Sequence, residues 1–199
     1  MIRGRFGHHR GKRVAKEPPA APMAQCEFDF SAPSCPVIVL RPSQGSRRAA
    51  EAYALYLEAS EIDEDPETLN AAEARYERAI QLDPGLAIAY TNLGNIRHRR
   101  GDLPGAEALY RTALSLDRRQ PEAQYNLGYC LLDGGDAERA IALFLGALEA
   151  DPKFADACFN LATAYEQTHR NDKAQPLWRR YLALEPSGTW AEIARSHLR

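Results

Sequence analysis

Three asparagines recur at one fixed step: Asn92, Asn126 and Asn160 stand 34 residues apart, followed by Leu93-Gly94, Leu127-Gly128 and Leu161-Ala162. An Asn side chain offers one acceptor and two donors, so a regular row of them can pair with the backbone amides of an extended peptide whatever its sequence. Thr91, Tyr125 and Phe159 flank this row, and Asn95, Tyr129 and Thr163 follow it one helical turn later. Together they form a candidate partner-binding strip. Its aromatics Tyr125, Tyr129 and Phe159 are expected to be exposed, because aromatics are typical interface anchors. The competing reading is that the Asn side chains bond neighbouring backbone or cap turns between repeats. If the ladder binds, an Asn126→Ala, Asn160→Ala double variant should fold normally and lose its partner. Glu122, Asp156 and Glu166 make this end acidic and favour a ligand rich in Lys or Arg.

Residues for catalysis are not arranged in this way. His98, His169 and His197 have no partner one helical turn away, and there is no phosphate-cradling Gly-rich loop or nucleophile elbow. Asp63, Glu64 and Asp65 fall in a polar turn and read as solvated surface. His8, His9, Cys26 and Cys35 lack the spacing of a metal site. No enzyme activity, metal or cofactor is therefore expected.

The elements that must hold the strip follow from the same step. Ala106, Ala140 and Ala174 recur, then Tyr110, Phe144 and Trp178, then Asp117, Asp151 and Glu185. One step back lie Ala72, Tyr76, Ala79 and Asp83, a fourth copy whose first half lacks the Asn-Leu-Gly triad, as a terminal repeat tolerates. Each copy reads as two helices joined by a tight turn, such as Arg100-Gly101-Asp102 or Gly134-Gly135-Asp136. Gly provides a left-handed helix exit, and Asp accepts from the free N–H groups of the next helix. Small residues at Gly94, Gly128 and Ala162 let paired helices approach closely. Pro152 and Pro186 stop second helices, whereas Pro176 predicts a late start or a bend. After Pro186, Ser187 or Thr189 is expected to cap a last helix with Trp190, Ile193, Ala194 and Leu198 inward.

These landmarks resemble the tetratricopeptide repeat, whose 34 residues carry an aromatic, a Leu-Gly pair, an Ala, an aromatic, an Ala and a Pro. The likeness covers about residues 49–187. Departures are local: Gln124 and Cys158 replace the aromatic found at Tyr90, Arg118 stands where Pro152 and Pro186 stand, and Tyr181 replaces a small Ala. The resemblance implies an all-α fold, a right-handed α–α superhelix of about four hairpins (49–86, 87–120, 121–154 and 155–186) closed by a capping helix at 187–199. It implies a non-catalytic adaptor or scaffold that binds a protein or peptide in its concave groove. The alternative is an accessory subunit of an enzyme or of a DNA-binding regulator. A clamp for chaperone tails, another mode of the family, would match at Asn95 and Asn126 but lacks basic residues at Thr91, Asp156 and Asn160.

Ahead of the repeats, residues 1–48 form a Pro-rich arm with nine Lys/Arg and three Asp/Glu; the remainder has sixteen and twenty-four. Such an arm can meet an acidic protein or, less readily, nucleic acid. No stretch has the roughly 20 apolar residues of a membrane span, and Cys26, Cys35, Cys130 and Cys158 suit free thiols. A cytoplasmic protein with no membrane partner is the expectation.

Overall fold

A computed structural model describes residues 44–198, which contain nine helices and no strand. They are α1 (Gln44–Ile62), α2 (Leu69–Leu82), α3 (Ala87–Arg99), α4 (Leu103–Leu116), α5 (Pro121–Asp133), α6 (Ala137–Ala150), α7 (Ala155–Gln167), α8 (Asn171–Leu184) and α9 (Thr189–Ser196). The candidate metal residues His8, His9, Cys26 and Cys35, and the arm's contacts, lie outside the described residues. α1 begins at Gln44, inside the segment assigned to the arm. No helix among the described residues is long and apolar enough to cross a membrane.

The helices pair as α1–α2, α3–α4, α5–α6 and α7–α8, and each hairpin packs on the next. The fold is an all-α helical-repeat solenoid. Its 34-residue step is exact at the first helices: α3, α5, α7 and α9 start at Ala87, Pro121, Ala155 and Thr189. The closing helix thus sits in the frame of a first helix.

Two local devices set the hairpins α3–α4 and α5–α6. At Gly94 an added Cβ would meet Tyr110 Cε1 at 2.5 Å, and at Gly128 it would meet Phe144 Cε1 at 2.9 Å, so the small residue admits the aromatic ring of the paired helix. Tyr76, Tyr110, Phe144 and Trp178 are all fully buried. The turns follow the expected chemistry in two hairpins: Gly101 (φ 80°) and Gly135 (φ 87°) take the left-handed conformation. Asp102 and Asp136 then accept from the N–H groups of Gly105 and Arg139. The third turn departs from this, with His169 left-handed at φ 58° and Arg170 providing no side-chain cap.

At the C-terminal end, α8 starts at Asn171 and runs through Pro176, so of the late start or bend expected there the late start does not occur. The expected cap of the last helix is corrected. The N-cap of α9 is Gly188 at φ 93°, and neither Ser187 nor Thr189 caps it. Trp190, Ile193, Ala194 and Leu198 do pack on the core. Cys130 is half-buried and Cys158 buried, both as free thiols, and burial pushes each up to about 11. Such thiols are poor nucleophiles near neutral pH.

Candidate functional site

From α3 onward the first helices touch their counterparts directly, α3 with α5 and α5 with α7, more closely than the second helices do. A row of hairpins drawn together along one side bends toward that side, so the first helices line the hollow. The residues chosen from sequence all lie on these helices.

The structure places them at very different depths. Asn92, Asn95, Tyr129 and Glu166 are half-buried, whereas Thr91, Tyr125, Asn126, Phe159, Asn160 and Thr163 are buried. The exposure expected of Tyr125 and Phe159 is therefore wrong. Tyr125 packs between Phe144 and Phe154, with ring centroids at 5.9 and 4.7 Å. Phe159 meets Trp178, Tyr181 and Trp190 edge-on at 4.8 to 5.2 Å. An aromatic surrounded by aromatics gains more from burial than from waiting in solvent for a partner. Only Tyr129 of the three remains half-open, with its ring edge-on to His98 at 5.7 Å.

The asparagines fasten hairpin to hairpin. Asn92 Nδ2 donates to the Tyr76 hydroxyl of the preceding hairpin at 2.9 Å, and that hydroxyl donates to Asp63 Oδ2 at 2.6 Å. Asn126 Nδ2 donates to Asn95 Oδ1 at 2.7 Å, and the Tyr110 hydroxyl donates to the same oxygen at 2.9 Å. One step further the equivalent ring is Phe144, which has no hydroxyl, and Asn160 Nδ2 turns to the Tyr125 hydroxyl at 3.1 Å. Each Asn thus commits at least one donor within its own chain. Removing Asn126 and Asn160 together would break two inter-hairpin bonds, so the double variant does not isolate binding from folding. Burial, and then Asp63, raise Tyr76 above the usual phenol range, and burial does the same to Tyr110; both hydroxyls stay protonated donors.

Thr91 donates to Gln120 Oε1 at 2.5 Å, bridging to the N-cap of α5. Thr163 donates to the Phe159 carbonyl at 3.1 Å. Glu166 accepts from Trp178 Nε1 at 2.8 Å, and its other oxygen lies 2.8 Å from His197 Nδ1. The carboxylate expected to meet a basic ligand is thereby engaged by the closing turn, and the His197 ring stacks on Trp178 at 4.6 Å. Sequence reasoning missed Asp63, Tyr76, Gln120 and His197 in this network. The signal available was the aromatic step itself, where Tyr76 and Tyr110 carry hydroxyls and Phe144 and Trp178 do not.

What stays half-open toward the hollow is Ile88, Asn92, Asn95, His98, Glu122 and Tyr129 on α3 and α5, with Glu166 on α7. The part on α3 and α5 offers amides, a carboxylate and two rings, a set suited to an extended peptide. Among the described residues no group of three His, Cys, Asp or Glu is placed to hold a metal.

One model of the tetratricopeptide repeat matches residues 69–121 and 99–153, and a second such model matches 131–194. No curated protein matches the chain. Among solved structures, the crystal structure of MamA superposes with a TM-score of 0.60 at 20% identity, covering 68% of this chain and 78% of that one. PilF of Pseudomonas aeruginosa gives 0.66 at 20% identity, covering 76% and 68%. A mutant of Thermobaculum terrenum O-GlcNAc transferase gives 0.61 at 29% identity over 69% of this chain. That match takes in 26% of the transferase. The likenesses to MamA and PilF establish the fold alone.

Proposed function

This chain belongs to the tetratricopeptide repeat family, and on that premise we propose that it holds an extended segment of a partner protein against the inner side of α3 and α5. Repeats of this family make it a protein-interaction scaffold. The observation that carries the finer reading is the half-open strip of Asn92, Asn95, His98, Glu122 and Tyr129, the place where the first helices keep polar and aromatic groups within reach of solvent. Extended peptides satisfy such a surface by pairing their own amides with Asn side chains and laying side chains on the rings. The buried members of the sequence-derived strip, Thr91, Tyr125, Asn126, Phe159, Asn160 and Thr163, act in this reading by holding the curvature. Catalysis has no part in it, and the likeness to the transferase is carried over only as a likeness of repeats.

Panning a library of displayed random dodecapeptides against the full chain tests the reading. Selected peptides should lose about tenfold or more in affinity against Glu122→Ala and Tyr129→Ala, roughly 1.4 kcal/mol each, and keep it against Arg179→Ala on α8. Peptides indifferent to both inner substitutions would sink the hollow as the binding surface.

A further inference from the structure

Glu122 shares one face of α5 with Asn126 and Tyr129, at the i, i+4, i+7 spacing of a helix. It is half-buried, and it makes no hydrogen bond or ion pair with any described residue. Other acids at helix ends are engaged. The Tyr76 hydroxyl donates to Asp63, Trp178 Nε1 donates to Glu166, and Glu138, which opens α6 as Glu122 opens α5, pairs with Arg170. A carboxylate in the first turn suits the helix N-terminus. One that is also half-buried has given up part of its hydration, and a cation arriving from outside restores that loss.

No base of the described chain answers Glu122. α5 contains no Lys, Arg or His. On α3, Arg97 and Arg100 turn to Glu73 of the first hairpin, and Arg99 turns to the carbonyls of Asp63 and Glu64. Arg118 and Arg119 in the α4–α5 turn are exposed, and neither forms an ion pair with Glu122. The amides beside it keep free valences. Asn95 Oδ1 already accepts from Tyr110 and Asn126, so its Nδ2 retains its donors, while Asn92 Nδ2 donates to Tyr76 and leaves its Oδ1 to accept. A segment lying against α3 and α5 therefore finds both a donor and an acceptor for its backbone.

The direction of such a segment follows from what is open. Asp156, Asn160 and Thr163 of α7 are buried and Glu166 is engaged, so the longer dimension of the strip runs along α5. Glu122 and Tyr129 lie about 10 Å apart along the helix axis. An extended chain of the polyproline type covers that distance in about three residues and returns its side chains to one face at the same interval. We propose, resting on that reading of the hollow, that the partner segment is cationic: a Lys or Arg is set against Glu122, and an aromatic or large apolar residue about three positions away is laid on Tyr129 and His98.

Sequencing the dodecapeptides selected against the full chain tests the pairing, with the affinities of synthetic copies read by fluorescence anisotropy. Lys or Arg should be enriched over the starting library and stand about three positions from an aromatic or large apolar residue. Glu122→Gln keeps the shape and removes the charge, and it should weaken such a peptide about tenfold in dilute buffer. At 0.5 M salt the two proteins should agree within about twofold. Exchanging the charges, Glu122→Lys against the same peptide with its Lys or Arg changed to Glu, should recover most of the affinity that either change alone removes, an outcome misfolding cannot produce. Selected peptides with no excess of Lys or Arg, with it at no fixed distance from the apolar residue, or with no recovery on exchange would overturn the proposal. If those peptides still lose affinity with Tyr129→Ala, the hollow reading stands and the cation site fails alone. If they ignore both Tyr129→Ala and Glu122→Ala, the hollow reading fails together with the cation site.

Discussion

The two ends of this solenoid reach the same hairpin geometry by different chemistry. Toward the C-terminus one continuous cluster runs from Tyr125 through Phe144, Phe154, Phe159, Trp178 and Tyr181 to Ala194. Toward the N-terminus the buried apolar cluster is small, centred on Ala59, Ala72, Tyr76, Ala89, Leu93 and Ile96. There, arginines at the end of α3 take over part of the fastening. Arg97 bridges to Glu73 at 3.0 Å and Arg100 pairs with Glu73 and Asn70, while Arg99 donates to the carbonyls of Asp63 and Glu64. The α1–α2 turn, at Asp63 to Thr68 the longest within a hairpin, is thus tied to the next hairpin through its backbone. Apolar burial scales with area and resists salt, whereas ion pairs at half-exposed sites contribute little and are screened. The contrast teaches that equivalent positions in a repeat need not be energetically equivalent. The C-terminal half should act as the stable block on which the N-terminal half is held.

The strongest way to break the contrast is to open a cavity in that block. Trp178→Ala removes a fully buried ring that contacts Phe159, Glu166 and His197. It should cost about 3–5 kcal/mol in guanidinium denaturation. It should also release α9, visible as faster amide exchange over residues 189–196. A cost below 1 kcal/mol would mean the aromatic cluster does not anchor the stack.

Alkaline pH separates the halves next. Tyr76 and Tyr110 are raised above the phenol value of 10.0, by burial first of all. In each case the folded state favours the neutral form. The associated stability is fully present below the unfolded value, about 10 for a phenol, and is lost as pH rises through the folded ones. Phe144 and Trp178 carry no such group at the same ring position. Circular dichroism between pH 9 and 12 should therefore show loss of helix that Tyr110→Phe moves to higher pH, even though that variant loses the bond to Asn95 at neutral pH. An unmoved alkaline transition would remove the tyrosines as its cause.

A smaller effect is expected from the arginine network. Glu73, whose side chain is only 14% exposed beneath Arg97 and Arg100, is the shared acid. Glu73→Gln should destabilise by about 1 kcal/mol and confine its effect on amide exchange to α1–α3. In 1 M salt the difference from the unaltered chain should shrink, while the Trp178→Ala deficit stays the same.

Much of this contrast was within reach of sequence, and part was not. The 34-residue step, the small residues at Gly94 and Gly128 and the ring series were legible because each is a local steric need repeated in frame. The all-α solenoid follows from them. Depth at the inner strip was not legible. Tyr125 and Phe159 share a frame position with Thr91, and periodicity states which helix face a residue occupies, not how far neighbouring side chains close over it. Phe154 and Trp190, which cover those two rings, stand outside the frame positions that define the repeat. The Asn row shows the same limit: its spacing is that of a peptide-binding ladder and equally that of a hairpin-to-hairpin fastening. The outcome turned on hydroxyls at Tyr76, Tyr110 and Tyr125, the first two on second helices of their hairpins and the last on a first helix.

The finest distinction lies in the turns. Gly101 and Gly135 are left-handed without steric cost, and an added Cβ at either would meet nothing within 4 Å. At the equivalent third turn His169 adopts φ 58° in the otherwise better-packed half. A residue with a Cβ is disfavoured there by roughly 1–2 kcal/mol, and a glycine recovers that at the expense of a more disordered unfolded chain. The net gain for His169→Gly should be about 0.5–1 kcal/mol, or roughly 1–4 °C in Tm for a domain of this size. Gly135→Ala should lose a comparable amount, because it imposes on the second turn the strain the third already bears. If His169→Gly leaves Tm unchanged, the bonds around that turn, from His169 N–H to the Glu166 carbonyl and from Arg170 N–H to the Tyr165 carbonyl at 2.9 and 2.8 Å, already offset the strain. The packed half would then tolerate an irregular turn that the polar half meets with glycine.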